Sequence, residues 1–230
     1  MVLRLAIFDL DGTLKQARDP YVYLHKRLGT WEACQPALVR GLAGELPYDE
    51  WLRLDVALWK GVSRARMEAF FRKNPYLPGA RETVQALKQA GVWIAVVSTG
   101  LNVHADLVQA ELGLDRLVCN EVLFENGLAT GEARSHVPEK GKGQVVAELQ
   151  AEFGVAPEEC LAVGDGSLDV DMFRRAHVGV AVNPSSDEVR KAADLVLEEP
   201  DLTPLLPRLR ESVPGWIPAD CSDLDLVIEL

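Results

Sequence analysis

Short apolar runs alternate with amphipathic helical patterns along most of the chain. The first run, Leu5 to Phe8, ends directly before Asp9 and Asp11. Later strands are predicted at 92–97, 117–119, 160–163, 178–182 and 194–197, and the helices among them at 79–90, 102–112, 142–153 and 167–176. Strands that alternate with helices are typical of parallel βαβ units. The pattern therefore predicts an α/β fold with a doubly wound, Rossmann-like parallel sheet as its core.

The segment 15–77 departs from this alternation because it carries helical patterns and no buried strand. Helices are predicted there at 20–28, 31–43, 48–60 and 63–73. We expect a small α-helical cap at 15–77, inserted after the first strand of a core that comprises 1–14 and 78–212. The acidic, aliphatic end of the chain fits no regular element, so 213–230 is interpreted as a C-terminal tail.

Two local patterns complete the predicted core. Residues 121–125 and 128–132 flank Asn126-Gly127, and Asn-Gly is a strong signal for a β-hairpin turn. The pattern at 202–209 predicts a final helix.

Composition and charge narrow the classes of partner. The 230 residues carry a net charge of −11, which leaves no basic field for a nucleic-acid backbone. The sequence contains no apolar run of about 18 residues that could cross a membrane, and its start enters the first strand without a leader-like segment. We therefore expect a cytoplasmic protein that binds neither nucleic acid nor membranes.

The cysteines and histidines show no metal-binding spacing. The cysteines are scattered without a Cys-x-x-Cys pair, which favours reduced structural thiols: Cys34, Cys119, Cys160 and Cys221. The histidines are isolated as well, and surface or loop positions are expected for them: His25, His104, His136 and His177. His104 stands apart because it lies at the start of a predicted helix, just after a candidate phosphate loop.

Polar residues follow several of the predicted strands. Asp9 and Asp11 are two residues apart at a strand end, so their side chains point to the same side. The segment Ser98-Thr99-Gly100 follows a second strand, the segment 164–169 follows a third, and a lysine-glycine segment at 140–143 opens a helix. Because ligands of open parallel sheets bind at the carboxyl ends of the strands, we expect these groups to form one site.

These side chains predict phosphoryl transfer. Ser98, Thr99 and Gly100 would bind phosphate oxygens at a helix N-terminus. Lys142, with Lys140 as the alternative, would place a positive charge on the transferred group.

The aspartates predict the chemistry itself. Asp9, Asp11 and Asp165 are the candidate ligands of Mg²⁺. Asp169 is expected to hold metal-bound water or the lysine and not to bind the ion directly. Asp9 would attack phosphorus, while Asp11 would protonate the leaving group and then activate water.

The order of the motifs resembles the haloacid dehalogenase superfamily over residues 3–198. The four motifs stand here as Asp9-Leu10-Asp11-Gly12-Thr13, Ser98, Lys142 and 164–169. A helical insert after the first motif resembles the phosphoserine phosphatase subgroup in particular. The resemblance implies a Mg²⁺-dependent phosphatase that acts on a small phosphorylated metabolite through an aspartyl-phosphate intermediate.

Two cap positions depart from that subgroup. Phosphoserine phosphatases carry a Glu and an Arg that hold the charged ends of the substrate, and the matching positions here are Arg18 and Asp55, with Arg53 nearby. Because these charges are reversed, Arg18, Arg53 and Asp55 are candidate specificity residues, and phosphoserine is expected to be a poor substrate. A phosphomutase, phosphoserine phosphatase proper, a non-catalytic binding protein and a dehalogenase are the alternatives, and the oligomeric state stays open.

Overall fold

The computed structural model describes residues 1–138, 141–219 and 221. Its strands are β1 (Leu5–Phe8), β2 (Trp93–Leu101), β3 (Arg116–Glu125), β4 (Leu128–Arg134), β5 (Cys160–Gly164), β6 (Val178–Val182) and β7 (Leu195–Leu197). They form one sheet in the order β4-β3-β2-β1-β5-β6-β7. Neighbouring strands are parallel except in the β3–β4 hairpin, so the predicted α/β class with a parallel sheet is confirmed.

The helices fall into two groups along the chain. Those of the insert are α1 (Pro20–Leu28), α2 (Trp31–Leu42), α3 (Tyr48–Ala57) and α4 (Arg64–Phe71). Those among and after the later strands are α5 (Ala80–Gln89), α6 (Asn102–Leu112), α7 (Lys142–Phe153), α8 (Val170–Phe173), α9 (Asp187–Ala192) and α10 (Leu205–Ser212). Local sequence determines both ends of α1. The Asp19 side chain caps its N-terminus, and Gly29 ends the helix in the left-handed region.

Strand β1 lies at the centre of the sheet, between β2 and β5. Its side chains alternate between two buried layers. Ala6 and Phe8 join the apolar cluster formed with α5, α6 and α10. Leu5 and Ile7 join the cluster formed with α7, α8 and α9. Because the strand order reverses at β1, the residues that follow β1 and β5 lie beside the crevice where such sheets bind ligands.

A third apolar cluster joins the helical insert to the carboxyl edge of the sheet. Its members from α1, α3 and α4 and the turn between α3 and α4 are Leu24, Leu52, Val56, Trp59, Met67 and Phe71, and those from the core are Leu101, Val103, Val122 and Ala129. The helical cap therefore covers the strand ends that carry the predicted chemistry. The domain bounds at 15–77 and 78–212 stay a prediction.

Some elements differ from the sequence-based expectation. The predicted helix at 167–176 is instead a 3₁₀ turn, Ser167–Asp169, followed by the short α8. Helix α9 was not predicted, because six residues after the Ser186 cap are too few to show a period. Of the predicted tail, 213–219 and 221 are described, and its Trp216 is buried and accepts a hydrogen bond from the Leu3 amide. No helix in the described part of the chain combines the length and apolar character needed to span a bilayer.

Candidate active site

Asp9 leaves the carboxyl end of β1 and pairs with Lys142, the first residue of α7. The Nζ atom of Lys142 lies 2.5 Å from Oδ1 of Asp9 and 2.6 Å from Oδ1 of Asp169. All three side chains are buried. One ammonium group therefore faces two carboxylates, and the site keeps an excess of negative charge.

Asp169 organises the turn after β5. Its Oδ2 accepts hydrogen bonds from the backbone N–H groups of Asp165, at 2.9 Å, and Gly166, at 2.8 Å. Gly164 leaves room for this side chain, because a Cβ there would lie 2.4 Å from Cγ of Asp169. Both carboxylate oxygens of Asp169 are thus already engaged, one by the turn and one by Lys142.

Three carboxylates form an acidic cluster that suits a divalent cation. Asp9, Asp165 and Asp169 offer oxygen atoms that all lie within 4.8 Å of one another. The Thr13 hydroxyl lies 3.3 Å from an oxygen of both Asp9 and Asp165, and Arg18 Nε lies 3.3 Å from Oδ2 of Asp165. A compact set of carboxylate oxygens with excess negative charge fits Mg²⁺. Asp169 already binds the lysine and two backbone amides of the turn, whereas the Asp165 side chain has only contacts of 3.3 Å among the described residues, so we take Asp9 and Asp165 as the candidate ligands of the ion.

Asp11 turns its carboxylate away from the acidic cluster. Its Oδ1 lies 2.9 Å from Nδ1 of His104, and its Oδ2 lies 3.4 Å from the hydroxyl of Ser98. Strand β1 ends at Phe8, so the alternation of strand side chains does not extend to Asp11, and the chain then turns at Gly12, whose φ is 95°. The structure therefore does not bring the Asp11 carboxylate, expected as a metal ligand, into the cluster of three.

The last residues of β2 lie against Asp11. The Gly100 amide donates a hydrogen bond of 2.9 Å to the Ser98 hydroxyl. A Cβ on Gly100 would lie 2.4 Å from Oδ2 of Asp11, so glycine is required for this approach. Ser98 and Gly100 thus lie beside Asp11, where phosphate binding was predicted.

The same end of β2 contacts the cap. The carbonyl oxygen of Thr99 accepts hydrogen bonds from the hydroxyls of Tyr21, at 2.9 Å, and Tyr48, at 3.0 Å. It also accepts one of 3.0 Å from Nδ2 of Asn120, which lies in the neighbouring strand β3. Helices α1 and α3 are therefore held directly at the segment that carries Ser98 and Gly100.

A cavity of about 220 Å³ lies between the cap and this edge of the sheet. Its walls are mainly aromatic and aliphatic, and they include Tyr21, Val22, Leu38, Tyr48, Trp51, Leu52 and Leu168. Arg18, Asp19 and Asp55 also line it. Arg53 lies instead on another surface of α3, where its Nε donates to the backbone carbonyl of Asp49.

Asp55 is the buried acid of this cavity. Trp59 Nε1 donates a hydrogen bond to His25 Nδ1, so His25 donates from Nε2 to Oδ1 of Asp55 over 3.1 Å. The side chain of Asp55 is buried, and its Oδ2 accepts no hydrogen bond from the described residues. The cavity therefore contains a carboxylate oxygen that a ligand can use.

Comparison with known proteins identifies the family to which this arrangement belongs. Residues 6–174 match the family described as haloacid dehalogenase-like hydrolase. The chain belongs to the haloacid dehalogenase-like hydrolases. The resemblance predicted from the four motifs is thereby confirmed.

Similar members of this hydrolase family are phosphoserine phosphatases. That of Archaeoglobus fulgidus is 34% identical over 203 residues, which cover 88% of this chain but 58% of the relative. That of Idiomarina loihiensis is 32% identical over 211 residues, covering 90% of this chain and 94% of the relative. A solved phospho-aspartyl intermediate analogue of phosphoserine phosphatase is 28% identical, covers 90% of this chain and 99% of its own, and superposes with a TM-score of 0.78.

Burial shapes the electrostatics of the hydrolase site. Burial raises the pKa of Asp9 well above its ordinary value, and the neighbouring carboxylates add to this against the opposing effect of Lys142. Burial and the nearby Asp169 raise the pKa of Asp165 to about 7. Burial alone would lower the pKa of Lys142, but Asp169 and Asp9 outweigh it and raise that pKa, so the lysine stays charged.

Two histidines were placed wrongly from the sequence. His25 and His104 are buried, and each contacts a carboxylate of this region. Only the position of His104 after the phosphate loop pointed towards its contact with Asp11. Lys140, the alternative to Lys142, lies outside the described residues.

Proposed function

We propose that this hydrolase is a Mg²⁺-dependent phosphatase that uses Asp9 as its nucleophile. The observation that carries the proposal is the buried pair of Asp9 and Lys142 at the centre of the sheet edge, beside Asp11 and Ser98. Membership in the family and the similarity to phosphoserine phosphatases support the same chemistry.

The reaction has two balanced steps. Asp9 attacks phosphorus, the phosphorus–oxygen bond of the ester breaks, and Asp11 gives its proton to the leaving oxygen. Asp11 then takes a proton from water as that water attacks the aspartyl-phosphate, which releases inorganic phosphate and restores Asp9. Ser98, the Gly100 region and Lys142 would bind the phosphoryl oxygens during both steps.

Asp9 and Asp165 would hold the metal. When bound, Mg²⁺ would offset the repulsion between the anionic phosphate and the carboxylates. The Thr13 hydroxyl contacts both of these side chains and would hold them at a fixed separation. Asp169 would act indirectly by holding both the turn at Asp165 and the ammonium group of Lys142.

The phosphatase proposal is tested by release of inorganic phosphate from a panel of phosphomonoesters, with Mg²⁺ or with a chelator. Asp9→Asn should lower kcat by about a thousandfold or more, because the amide cannot form the covalent intermediate. Asp187→Asn is the matched control, since that exposed aspartate pairs only with Arg190 in the described structure. Full turnover by Asp9→Asn, or turnover independent of Mg²⁺, would contradict the mechanism, and an isomerised phosphate ester in place of free phosphate would indicate a phosphomutase.

We further infer the substrate class from the cavity. In the described part of the chain, Asp55 presents a carboxylate oxygen without a hydrogen-bond partner to a cavity with aromatic walls. Arg18 also lines this cavity, but its guanidinium group contacts Asp165 and the carbonyl of Asn183. Aromatic faces and a carboxylate favour a cation and disfavour an anion. The cavity thus suits a leaving alcohol that bears an ammonium or another hydrogen-bond donor and has no carboxylate.

Phosphoserine and phosphoethanolamine form a matched pair for this substrate prediction, because they differ only by the carboxylate. We expect kcat/KM for phosphoethanolamine to exceed that for phosphoserine by about tenfold or more, which corresponds to roughly 1.4 kcal/mol of transition-state stabilisation. Asp55→Asn should reduce this preference while its effect on an aryl phosphate stays small. Arg53→Gln is the control, since Arg53 lies outside the cavity. A higher kcat/KM for phosphoserine would show that the cavity does not select against carboxylates.

A further inference from the structure

His104 lies in the first turn of α6 and is completely buried. Its Nδ1 lies 2.9 Å from Oδ1 of Asp11, whereas the Ser98 hydroxyl reaches Oδ2 of Asp11 at 3.4 Å. The imidazole is therefore the closest hydrogen-bonding partner of this carboxyl group among the described residues. A side chain so placed can decide where the carboxyl group points.

Of the two ring nitrogens, Nδ1 is the one that contacts Asp11. Nε2 of His104 is buried and has no hydrogen-bond partner in the described structure. A carboxylate oxygen accepts hydrogen bonds, so we assign the imidazole hydrogen to Nδ1, which donates it to Oδ1 of Asp11 over 2.9 Å. This hydrogen bond is therefore the polar contact that links the ring to the site.

The ring is also packed against the cap. Phe71 of α4 stacks on it, with ring centroids 4.3 Å apart and planes inclined by 10°. Phe71 is itself fully buried in the cluster that joins cap and core. The orientation of His104 therefore depends on the cap lying over the sheet edge.

From this geometry we propose that His104 is a positioning residue: its Nδ1–H group fixes Oδ1 of Asp11 as an acceptor, so that Oδ2 carries the proton exchanged with the leaving group. The proposal rests on the phosphatase function proposed above. In the first step the proton moves from Oδ2 to the ester oxygen as the phosphorus–oxygen bond breaks, and in the second Oδ2 receives a proton from water. Because Phe71 packs on the ring, the cap helps to hold the imidazole against Asp11.

Two substitutions separate the hydrogen bond from the packing. His104→Leu keeps a branched apolar group at the ring position but removes the donor. His104→Asn places an amide nitrogen on Cγ, where Nδ1 stands in histidine, and so restores a donor towards Asp11. His177→Leu is the control, because His177 also packs on an aromatic ring, that of Trp216, and stands directly before β6, at the amino end of that strand.

The deciding measurement compares kcat/KM for aryl phosphates, whose leaving phenols are acidic, with kcat/KM for alkyl phosphates. This ratio reports the steps up to departure of the leaving group, and an acidic phenol needs no proton while an alkoxide does. His104→Leu should lower kcat/KM for alkyl phosphates by about a hundredfold, the low end of what a positioned general acid contributes. Its effect on aryl phosphates should be severalfold at most, and His104→Asn should recover most of the alkyl activity.

The possible outcomes distinguish this inference from the phosphatase proposal. An equal loss on both substrate classes, or no loss on either, would overturn the role of His104 while leaving the phosphatase intact. If the wild-type protein hydrolysed no phosphomonoester, that result would instead contradict the proposed phosphatase function. Nitrogen NMR of the imidazole in substrate-free protein gives a second check, because a hydrogen on Nε2 would contradict the assigned form.

Discussion

At the scale of single residues, two glycines determine how closely the aspartates approach their neighbours. A Cβ on Gly100 would lie 2.4 Å from Oδ2 of Asp11, and one on Gly12 would lie 2.5 Å from Oδ2 of Asp165. Gly12 has a φ of 95°, so its backbone also requires glycine. Gly100 has no such backbone requirement, and its role is therefore one of space alone.

This difference makes Gly100→Ala an informative substitution. The added methyl group should displace the Asp11 carboxyl and lower kcat/KM by about a hundredfold, as a misplacement of about 1 Å does, with little loss of stability. Gly44→Ala is the opposite control, because Gly44 has a φ of 73° and open space around its Cβ position. It should lower stability by about 1 kcal/mol and leave kcat/KM unchanged. Steady-state kinetics and thermal unfolding measure both effects, and wild-type kinetics for Gly100→Ala would refute the spatial role.

At the scale of elements, long periodic segments were predictable and short polar ones were not. The apolar run at Leu5–Phe8 predicts β1 because it is buried on both faces. The expected helix at 167–176 fails at its start, where Oδ2 of Asp169 binds the amides of Asp165 and Gly166 and holds a tighter turn. Local hydrogen bonding by one side chain thus replaced the first helical turn.

The candidate site shows a related limit. Asp9, Asp11 and Ser98 lie at or just after the carboxyl ends of strands and Lys142 opens a helix, so their convergence follows from the βαβ order. The contact of His104 with Asp11 joins residues 93 positions apart and depends on which side of α6 faces the sheet edge. Periodicity cannot supply that contact, because a lone histidine near an apolar face is equally compatible with simple packing.

At the scale of the whole molecule, the apolar core holds acidic groups together where they repel one another. The two clusters that flank the sheet fix the ends of β1 and β5 beside each other. Asp9, Asp165 and Asp169 are thereby buried close together against one lysine. The fold places negative charge at its centre, and this cost should be visible in the stability of the metal-free protein.

The pH dependence of that stability can be predicted from Asp165, whose pKa is raised by burial to about 7. Between the ordinary pKa near 3.8 and the raised value, the folded state binds more protons than the unfolded state, so stability from this group is full at low pH and is lost as pH rises. In chelator, Asp165→Asn should therefore raise Tm more at pH 8 than at pH 5, with roughly 2–4 °C for each kcal/mol in a chain of this size. Mg²⁺ should raise Tm of the wild type at pH 8 and have little effect on Asp165→Asn, because the ion relieves the same repulsion that the amide removes. Asp187→Asn should match the wild type throughout, and a Mg²⁺ effect that survives in Asp165→Asn would place the ion elsewhere.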